Sequence, residues 1–531
     1  MACGLLLAMA WRQGGYFPDA HLQAGSAAFG TLAVLLAVRP PHFALSTSAL
    51  LGLAALAGLV VWTGLSAHWS SAPDAALEAF GLGLVHLGVL GLGLMAAGSG
   101  RYSRHLVWAA LGVIAVIVVA GLVSRLYPGT LDPRGTLSRF GGYRLAYPLG
   151  YWNAFGAIGA MGVVLAAGLA ADRMSPVALR ALAAGLTVPL GTAAYLSFSR
   201  GAWLAFFAGV AVLILVAAHR VSVAVTLSIC GVALLAAVGR LAGYDALTER
   251  PGAGAGVYVE GAAYGPFLLA VALLAGLAQA LASGRWVPAH ARAQLGRAGR
   301  RAGLALAVVA VLAAAGVYAL RAGDVEGETA ARIESAEAWL DEQWDEFNTP
   351  AAVGDVSGTE RLTTARGTRS DLYRVAIDGF EANPLLGDGA GGFEHRFAFD
   401  REVGEKVRDA HSLYLETLGE LGIVGLALLL AFVGSAIRAA AIARARTDAL
   451  SSGQSTAATA ALAVWIAHAG VDWDWQVPAL TGAALLLAAS LYPGGRRGRR
   501  RARKPANGSG ELATVGSRDR RYGPIVAESS P

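Results

Sequence analysis

DAHSLYLETLGELGIVGLALLLAFVGSAIRAAAI, residues 409–442, is the stretch that decides the fold. It begins with polar residues that include His411, and it continues without a break into an apolar run at 419–442. A helix of about 20 apolar residues crosses the hydrocarbon core of a bilayer. An open strand in lipid would leave its backbone N–H and C=O groups without partners. We therefore predict a transmembrane α-helix with a histidine at its start.

Similar apolar runs recur along the chain. Of its 531 residues, 55% are hydrophobic and 15% are charged, whereas soluble domains average about 25% charged residues. The runs lack the alternation of a transmembrane β-barrel. They lie near 1–12, 22–38, 43–65, 75–98, 105–125, 150–171, 178–197, 201–218, 221–242, 259–283, 303–320, 419–442, 456–473 and 477–492. We predict an all-α polytopic membrane protein with about 12–14 transmembrane helices and one large extracytoplasmic loop that contains short helices.

Basic loops orient the predicted spans. They occur at 101–105, 172–180, 219–220, 284–301 and 444–446, and the tail at 496–504 is also basic. All of them fall on one side when the spans alternate, and lysine and arginine mark the cytoplasmic side. We expect a multi-pass protein of the cytoplasmic (inner) membrane with both termini in the cytoplasm and the large loop outside.

Four segments follow from this pattern. We predict an N-terminal transmembrane bundle at 1–320, a large extracytoplasmic loop at 321–418, C-terminal transmembrane helices at 419–492 and a basic, disordered cytoplasmic tail at 493–531. The loop is far longer than ordinary connections, and loops of that size tend to carry function. For the tail, contact with the membrane surface is favoured over nucleic-acid binding.

Neither a disulfide nor a metal site is predicted. The two cysteines, Cys3 and Cys230, lie in apolar segments, and no group of His, Cys, Asp and Glu has metal-ligand spacing. The first residues lack a basic region and a cleavage site, so we expect a membrane span rather than a removed signal peptide. We predict no metal and no cofactor.

Several arginines are candidate ligands for an anion. Arg200, in Ser197-Phe-Ser-Arg-Gly-Ala-Trp203, lies where two apolar helices meet with almost no loop between them. The planar guanidinium suits diphosphate, although an interfacial arginine also extends to lipid headgroups. Arg134, Arg139 and Arg144 share one short outside loop, against the positive-inside bias. An anionic ligand and lipid phosphate both account for them.

The large loop carries two further arginines before a glycine-rich turn. Arg369 and Tyr373 share a helix face, whereas Arg374 points about 100° further round, toward either solvent or a site. The turn at 387–392 is not a nucleotide loop, because no strand precedes it and no Lys-Ser/Thr follows.

His411 is the candidate base. A histidine near neutral pKa can accept a proton from a sugar hydroxyl, and a structural histidine at a helix start is the alternative. Tyr414 lies one turn on and flanks it, while Glu416 lies on another side, so no His–Glu dyad is implied. Asp472 and Asp474 end a late span, and they either orient an arginine or face water.

Together these motifs resemble the O-antigen ligase and polymerase family. The segments that match are Tyr147–Asn153, Ser-Arg-Gly at 199–201, and Asn383-Pro-Leu-Leu-Gly-Asp-Gly…Phe393 followed by Ala410-His-Ser-Leu-Tyr-Leu-Glu-Thr-Leu-Gly-Glu-Leu-Gly-Ile-Val-Gly425. The resemblance is best from about 127 to 445. It implies a glycosyltransferase whose donor is a glycan on undecaprenyl diphosphate.

The resemblance also implies roles for individual residues. Arg200 and Arg374 correspond to the family arginines that engage the diphosphate, with Arg139 or Arg144 assisting, and His411 corresponds to the proposed base. Supporting residues are Asn153, Tyr414 and Glu416. The implied partners are the lipid-linked donor, a glycan or other cell-surface acceptor and the lipid bilayer, with no nucleic acid.

Three alternatives are weighed against this interpretation of the residues. Ligase and polymerase share the donor and differ in the acceptor. A transporter or flippase also fits many spans with charges at membrane depth, although no paired halves with matching broken helices are present. A membrane sensor is the least favoured, because no cytoplasmic loop resembles an output domain.

Overall fold

The structure is a computed structural model that describes residues 1–38, 44–98, 102–131, 143–249, 255–283, 369–401, 407–446, 449–492 and 494–495. Its helices are α1 (Ala2–Ala10), α2 (Pro18–Val38), α3 (Thr47–Leu65), α4 (Pro73–Ala97), α5 (Ser103–Leu126), α6 (Trp152–Ala171), α7 (Val177–Leu196), α8 (Arg200–Val216), α9 (Arg220–Leu241), α10 (Asp245–Thr248), α11 (Ala255–Ser283), α12 (Arg369–Ala382), α13 (Gly392–Asp400), α14 (Leu413–Ala445), α15 (Ser452–His468) and α16 (Pro478–Leu491). Short 3-10 turns lie at Gln13–Gly15, Ser66–His68 and Asp474–Gln476. The strands Ala44–Leu45 and Gly494–Gly495 pair antiparallel.

The predicted all-α polytopic membrane architecture is confirmed. Among the described residues, nine helices are long and apolar enough to cross a membrane: α2, α3, α4, α5, α6, α7, α9, α11 and α14. The shorter apolar helices α8 and α16 coincide with two further predicted runs. The run at 1–12 forms only a nine-residue helix, and the run at 303–320 lies outside the described residues.

α6 lies at the centre of the helix bundle, and its apolar window is completely buried. It packs against α7, α8 and α15. Small residues allow this close approach. At Gly168, a Cβ atom would lie 2.5 Å from the Cβ of Ala457 on α15. The end of α6 is therefore packed closely against α15.

α14 begins at Leu413 because Ser412 caps the helix. The Ser412 side chain accepts a hydrogen bond from the Leu415 N–H at 3.4 Å. Its helical geometry is interrupted at Gly422, where φ is 64° and ψ is −166°, a conformation that is essentially confined to glycine. The Ile423 N–H donates to the Pro384 carbonyl at 2.9 Å. The loop before the glycine-rich turn thus packs into the interruption.

The glycine-rich turn lies against α14 and is held there by backbone hydrogen bonds. Asp388 N–H donates to the Gly419 carbonyl at 3.0 Å, and Gly389 N–H donates to the Glu420 carbonyl at 2.8 Å. Gly387 has φ 67°, and a Cβ there would lie 2.3 Å from the Glu420 carbonyl carbon. Only glycine allows this contact. The turn therefore fixes the end of the large loop on the first turns of α14.

The structure describes only part of the predicted large loop. The helix predicted after residue 368 forms as α12. Residues 321–368 of the predicted loop lie outside the described residues. The four-segment division of the chain stays a prediction.

Candidate active site

Asp472 lies at the centre of a polar cluster. It follows α15, and its side chain is 0% exposed. Arg369 Nη2 donates to Asp472 Oδ2 at 2.9 Å, and His411 Nδ1 lies 3.2 Å from Asp472 Oδ1. A buried carboxylate is tolerated only when it is paired and hydrogen-bonded. The two oxygens of one carboxylate thus join an arginine of α12 to the histidine before α14.

The environment of Asp472 keeps its carboxyl ionised. Burial alone would raise the pKa of this group, but the hydrogen bond and charge of His411 and the charge of Arg369 lower the pKa well below its usual range. For Arg369, burial acts to lower the pKa of the guanidinium, and the combined charges of Asp472, Tyr151, Tyr373 and Asp474 more than offset it, so the pKa is raised. The pair is charged throughout the physiological pH range.

Neutral donors complete the cluster. The Tyr151 hydroxyl donates to Asp472 Oδ1 at 2.7 Å, and Asn153 Nδ2 donates to Asp472 Oδ2 at 2.6 Å. The Trp473 backbone N–H donates to Asp472 Oδ1 at 3.0 Å. The Tyr151 and Trp473 rings stack, with centroids 4.1 Å apart and an angle of 20° between planes. Tyr151, the residue before α6, and Asn153, in the first turn of α6, therefore both bind the Asp472 carboxylate directly.

His411 is held in a strained backbone conformation. Its φ is 53°, a left-handed value that is uncommon for a residue with a side chain and that often marks functional sites. The Tyr373 hydroxyl donates to the His411 carbonyl at 3.3 Å, and the Leu413 N–H donates to the Ala469 carbonyl at 2.8 Å. These contacts aim the imidazole at Asp472, and its side chain stays 22% exposed.

The geometry fixes how His411 can act. A carboxylate at Nδ1 favours the tautomer in which Nδ1 carries the proton, and this leaves Nε2 as the nitrogen that accepts one. Asp472 also stabilises the imidazolium that forms when Nε2 is protonated. The arrangement has the parts of a general base with an orienting carboxylate.

Arg374, the predicted diphosphate ligand, lies among acidic side chains of its own helix. Its Nη2 is 2.6 Å from Asp371 Oδ1, and its Nη1 is 3.1 Å from Asp378 Oδ2. Nη2 also donates to the Asp400 carbonyl at 2.8 Å. The role of Arg374 stays a prediction. Arg369, five residues earlier on the face that it shares with Tyr373, contacts Asp472 directly.

The Ser-Arg-Gly turn lies beside the cluster. Ser199 caps α8 by accepting a hydrogen bond from the Ala202 N–H at 3.2 Å, and Arg200 is the first residue of this helix. At Gly201, a Cβ would lie 3.3 Å from His468 Nε2 and 3.2 Å from Val471 Cγ2. Arg200 is therefore anchored next to the segment that carries Asp472.

A second carboxylate–histidine pair underlies this turn. His468 Nδ1 lies 2.8 Å from both oxygens of Asp474, and both side chains are 0% exposed. The Thr481 hydroxyl donates to the Asp474 carbonyl at 2.7 Å. Asp472 and Asp474, which the sequence left between two interpretations, are thus both buried partners of histidines.

Arg144 and Tyr414, two further predicted residues, have contacts of their own. Arg144 Cζ lies 4.7 Å from the centroid of the Trp152 ring, a cation–π contact beside Tyr151. Arg139, like Arg134, lies outside the described residues. The Tyr414 hydroxyl donates to the Ile466 carbonyl at 2.9 Å.

Glu416 supports the turn that carries His411 rather than the imidazole itself. Its Oε2 accepts the Ala410 N–H at 2.8 Å, and its Oε1 accepts Gln476 Nε2 at 2.5 Å. In the part of the chain that the structure describes, no group of three or more His, Cys, Asp and Glu side chains is arranged to hold a metal ion.

Sequence reasoning did not assign Asp472, Tyr151 or Arg369 to the site. In the sequence, Asp472 is an acid at the end of an apolar run, and no role was predicted for it. Acids within or at the edge of the membrane are functional candidates by default. The signal for Arg369 was its shared face with Tyr373.

The fold and this cluster define a class: a polytopic α-helical membrane protein with a carboxylate-oriented histidine beside arginines. Residues 261–430 match the family model described as O-antigen ligase (Wzy_C). The match covers about a third of the 531 residues, and it includes Arg369, the glycine-rich turn and His411. It confirms the predicted resemblance to the O-antigen ligase and polymerase family. No curated protein matches the chain.

This match supports a membrane glycosyltransferase-like role in the synthesis of surface polysaccharide, with a lipid-linked glycan as substrate. The apolar helices and the family together indicate a multi-pass inner-membrane protein.

Proposed function

We propose that this protein transfers a glycan from undecaprenyl diphosphate to an acceptor hydroxyl at the outer face of the cytoplasmic membrane. The observation that carries the proposal is the contact of His411 and Arg369 with the two oxygens of the buried Asp472 carboxylate. It puts a proton acceptor and a cation side by side where α14 begins.

In the proposed reaction, His411 Nε2 accepts the proton of the acceptor hydroxyl. The acceptor oxygen attacks the anomeric carbon and forms the new glycosidic bond. The bond from that carbon to the diphosphate oxygen breaks, and its electron pair leaves with undecaprenyl diphosphate. Attack opposite to the leaving group inverts the anomeric configuration. Asp472 stabilises the imidazolium until its proton is released to water.

Arginines supply the positive charge that the leaving diphosphate needs. Arg369 has five N–H donors, of which Nη2 binds Asp472, so its other donors are suited to a phosphate oxygen. Arg200 adjoins the segment that carries Asp472, and Arg144 stacks on Trp152, the residue after Tyr151. Arg374 and Arg139 stay as predicted ligands. Because these charges stabilise the leaving group directly, we propose that the transfer is metal-independent.

Analysis of lipid-linked intermediates in a deletion strain tests this function. We expect lipid-linked glycan to accumulate on the outer leaflet and the surface polymer to be lost. Accumulation on the inner leaflet would instead identify a flippase and overturn the proposal. Single short units in the surface fraction indicate a polymerase, whereas free long polymer indicates a ligase.

A further inference from the structure

A short apolar segment, Pro384-Leu-Leu386, lies on the surface between α12 and the glycine-rich turn. Leu385 is 67% exposed and Leu386 is 44% exposed. Isolated exposed leucines are common on proteins, but these two are adjacent to each other and lie beside a membrane-spanning helix. Glu381 and Asn383, which come just before them, are polar and also exposed. The surface therefore changes from polar to apolar at the start of the apolar segment 384–386.

The apolar segment lies against the exposed side of α14. The Pro384 carbonyl accepts the Ile423 N–H at 2.9 Å. Ile423, Leu430 and Ile437 are all exposed, and their spacing of seven residues is close to two helical turns, so they form one stripe along the helix. α14 is long and apolar enough to cross a membrane, and its exposed apolar stripe is the side that faces lipid. The apolar segment continues this lipid-facing surface at the end of the stripe.

Distances along α14 place this contact within the thickness of a bilayer. Arg438 is exposed and donates to the Ser48 hydroxyl at the start of α3, and an exposed arginine marks the edge of the hydrocarbon layer. Ile423 lies 15 residues before Arg438, which is roughly 22 Å along a helix that rises about 1.5 Å per residue. The hydrocarbon layer is about 30 Å thick, and tilt of the helix only reduces the depth that it spans. The contact between Ile423 and Pro384 therefore falls within the layer.

The backbone of the apolar segment is suited to that depth, because two of its carbonyl groups are paired. Pro384 has no N–H, and its carbonyl binds Ile423. The Leu386 carbonyl accepts the indole N–H of Trp69 at 3.3 Å. Non-helical backbone is tolerated at membrane depth only where the protein satisfies such groups. Trp69 packs on Trp62 with ring centroids 5.3 Å apart, and tryptophan is enriched where membrane and water meet.

We propose that the apolar segment 384–386 inserts into the bilayer and contacts the acyl chains of its phospholipids. This inference does not depend on the proposed glycosyl transfer. The segment leads directly into the glycine-rich turn, whose Asp388 and Gly389 N–H groups bind carbonyls at the start of α14, two turns after His411. The insertion therefore holds the turn and the histidine at the edge of the bilayer, the level at which the head of a lipid-linked substrate lies.

Spin labels on single cysteines test the insertion. The labels are attached at Leu385→Cys or Leu386→Cys in a protein that also carries Cys3→Ala and Cys230→Ala, which removes both native thiols. The protein is reconstituted in nanodiscs of synthetic phospholipid that contain no polyprenyl carrier. Power saturation then measures how strongly each label collides with molecular oxygen, which concentrates in hydrocarbon, and with nickel(II) ethylenediaminediacetate, which stays in water.

Two exposed positions provide the controls. Leu430→Cys carries a label on the lipid-facing stripe of α14, and Glu381→Cys carries one on the polar surface just before the apolar segment. We expect the ratio of oxygen to nickel collisions at position 385 to be severalfold higher than at position 381 and close to the ratio at position 430.

A ratio at position 385 no higher than that at position 381 shows that the segment lies in water and overturns the proposal. Weak collisions with both reagents also overturn it, because they show that protein covers the segment, either a second copy or another part of this chain. Size-exclusion profiles identify variants that fail to fold, and the label at position 386 decides the matter if the Leu385 variant is one of them.

Discussion

His411 Nδ1 lies 3.2 Å from Asp472 Oδ1, although 61 residues separate the two in the chain. The contact joins the turn before α14 to the segment after α15. It puts a partly exposed imidazole on a completely buried, ionised carboxylate. This contact makes His411 a candidate base in which Nδ1 carries the proton and Nε2 accepts one.

The first prediction concerns the carboxylate. Asp472→Asn removes the charge that stabilises the imidazolium and leaves Arg369 without its ionic partner, so we expect the transfer rate to fall by at least about 100-fold. The rate is measured as polymer formed from extracted lipid-linked glycan. Asp378→Asn is the control, because it also removes an acid paired with an arginine, Arg374, but away from the cluster. Equal rates in the two variants contradict the role of Asp472.

A second prediction separates the two arginines of α12. Arg369→Lys keeps the charge but loses the planar fork, so we expect transfer to fall by about tenfold or more. Arg374→Lys should change it less, since Arg374 is bound by Asp371 and Asp378 of its own helix. Initial rates at fixed donor concentration decide between them. The opposite order of effects would favour Arg374 as the diphosphate ligand.

The contact between the Ser-Arg-Gly turn and His468 gives a third prediction. In Gly201→Ala, the new Cβ lies 3.2–3.3 Å from Val471 and His468, so we expect lower thermal stability and slower transfer. Gly239→Ala on α9 is the control, because nothing lies within 4 Å of its Cβ. Alanine is favoured over glycine in a helix by up to about 1 kcal/mol. Thermal unfolding in detergent should therefore rank Gly239→Ala at or above the parent protein and Gly201→Ala below it.

A fourth prediction concerns pH. Burial, partly offset by the charges of His411 and Arg408, raises the pKa of Asp409 from 3.8 to about 6. A carboxyl with a raised pKa in the folded state favours folding when it is protonated, so its contribution is complete below about pH 4 and is lost as the pH rises through about 6. Asp472 has a lowered pKa in the folded state, so its ionised form favours folding. Its contribution to stability is present above its ordinary pKa.

Unfolding temperatures measured between about pH 4 and pH 7 test this assignment. The parent protein should lose stability over that interval relative to Asp409→Asn, whose side chain does not titrate. Parallel curves for the two proteins would show that Asp409 does not titrate in this range.

Local patterns predicted the helices and the motifs because both depend on neighbours in the chain. The spacing of Arg369 and Tyr373 predicted a shared face, and both side chains do contact the His411–Asp472 region. The same kind of argument placed Glu416 away from the imidazole, and its carboxylate binds the Ala410 N–H instead. These predictions needed only the geometry of one helix.

The partner of His411 was not predictable in that way. Asp472 reaches His411 only because the end of α15 lies beside the start of α14. There the Leu413 N–H donates to the Ala469 carbonyl. Tyr151 joins the same carboxylate from the start of α6. These contacts depend on packing between helices that are distant in the chain. The periodicity of a single segment therefore cannot predict them. The resemblance to the family indicated the histidine, and the structure adds the acid that contacts it.

The most direct test of the central claim is the transfer rate of His411→Gln in nanodiscs, with extracted lipid-linked glycan as donor. Glutamine keeps a polar group of similar size but cannot act as a base at neutral pH. We predict a loss of transfer of at least about 100-fold in a protein that folds and binds the donor as the parent does. Transfer at the parent rate by a folded His411→Gln protein would contradict the assignment of His411 as the base.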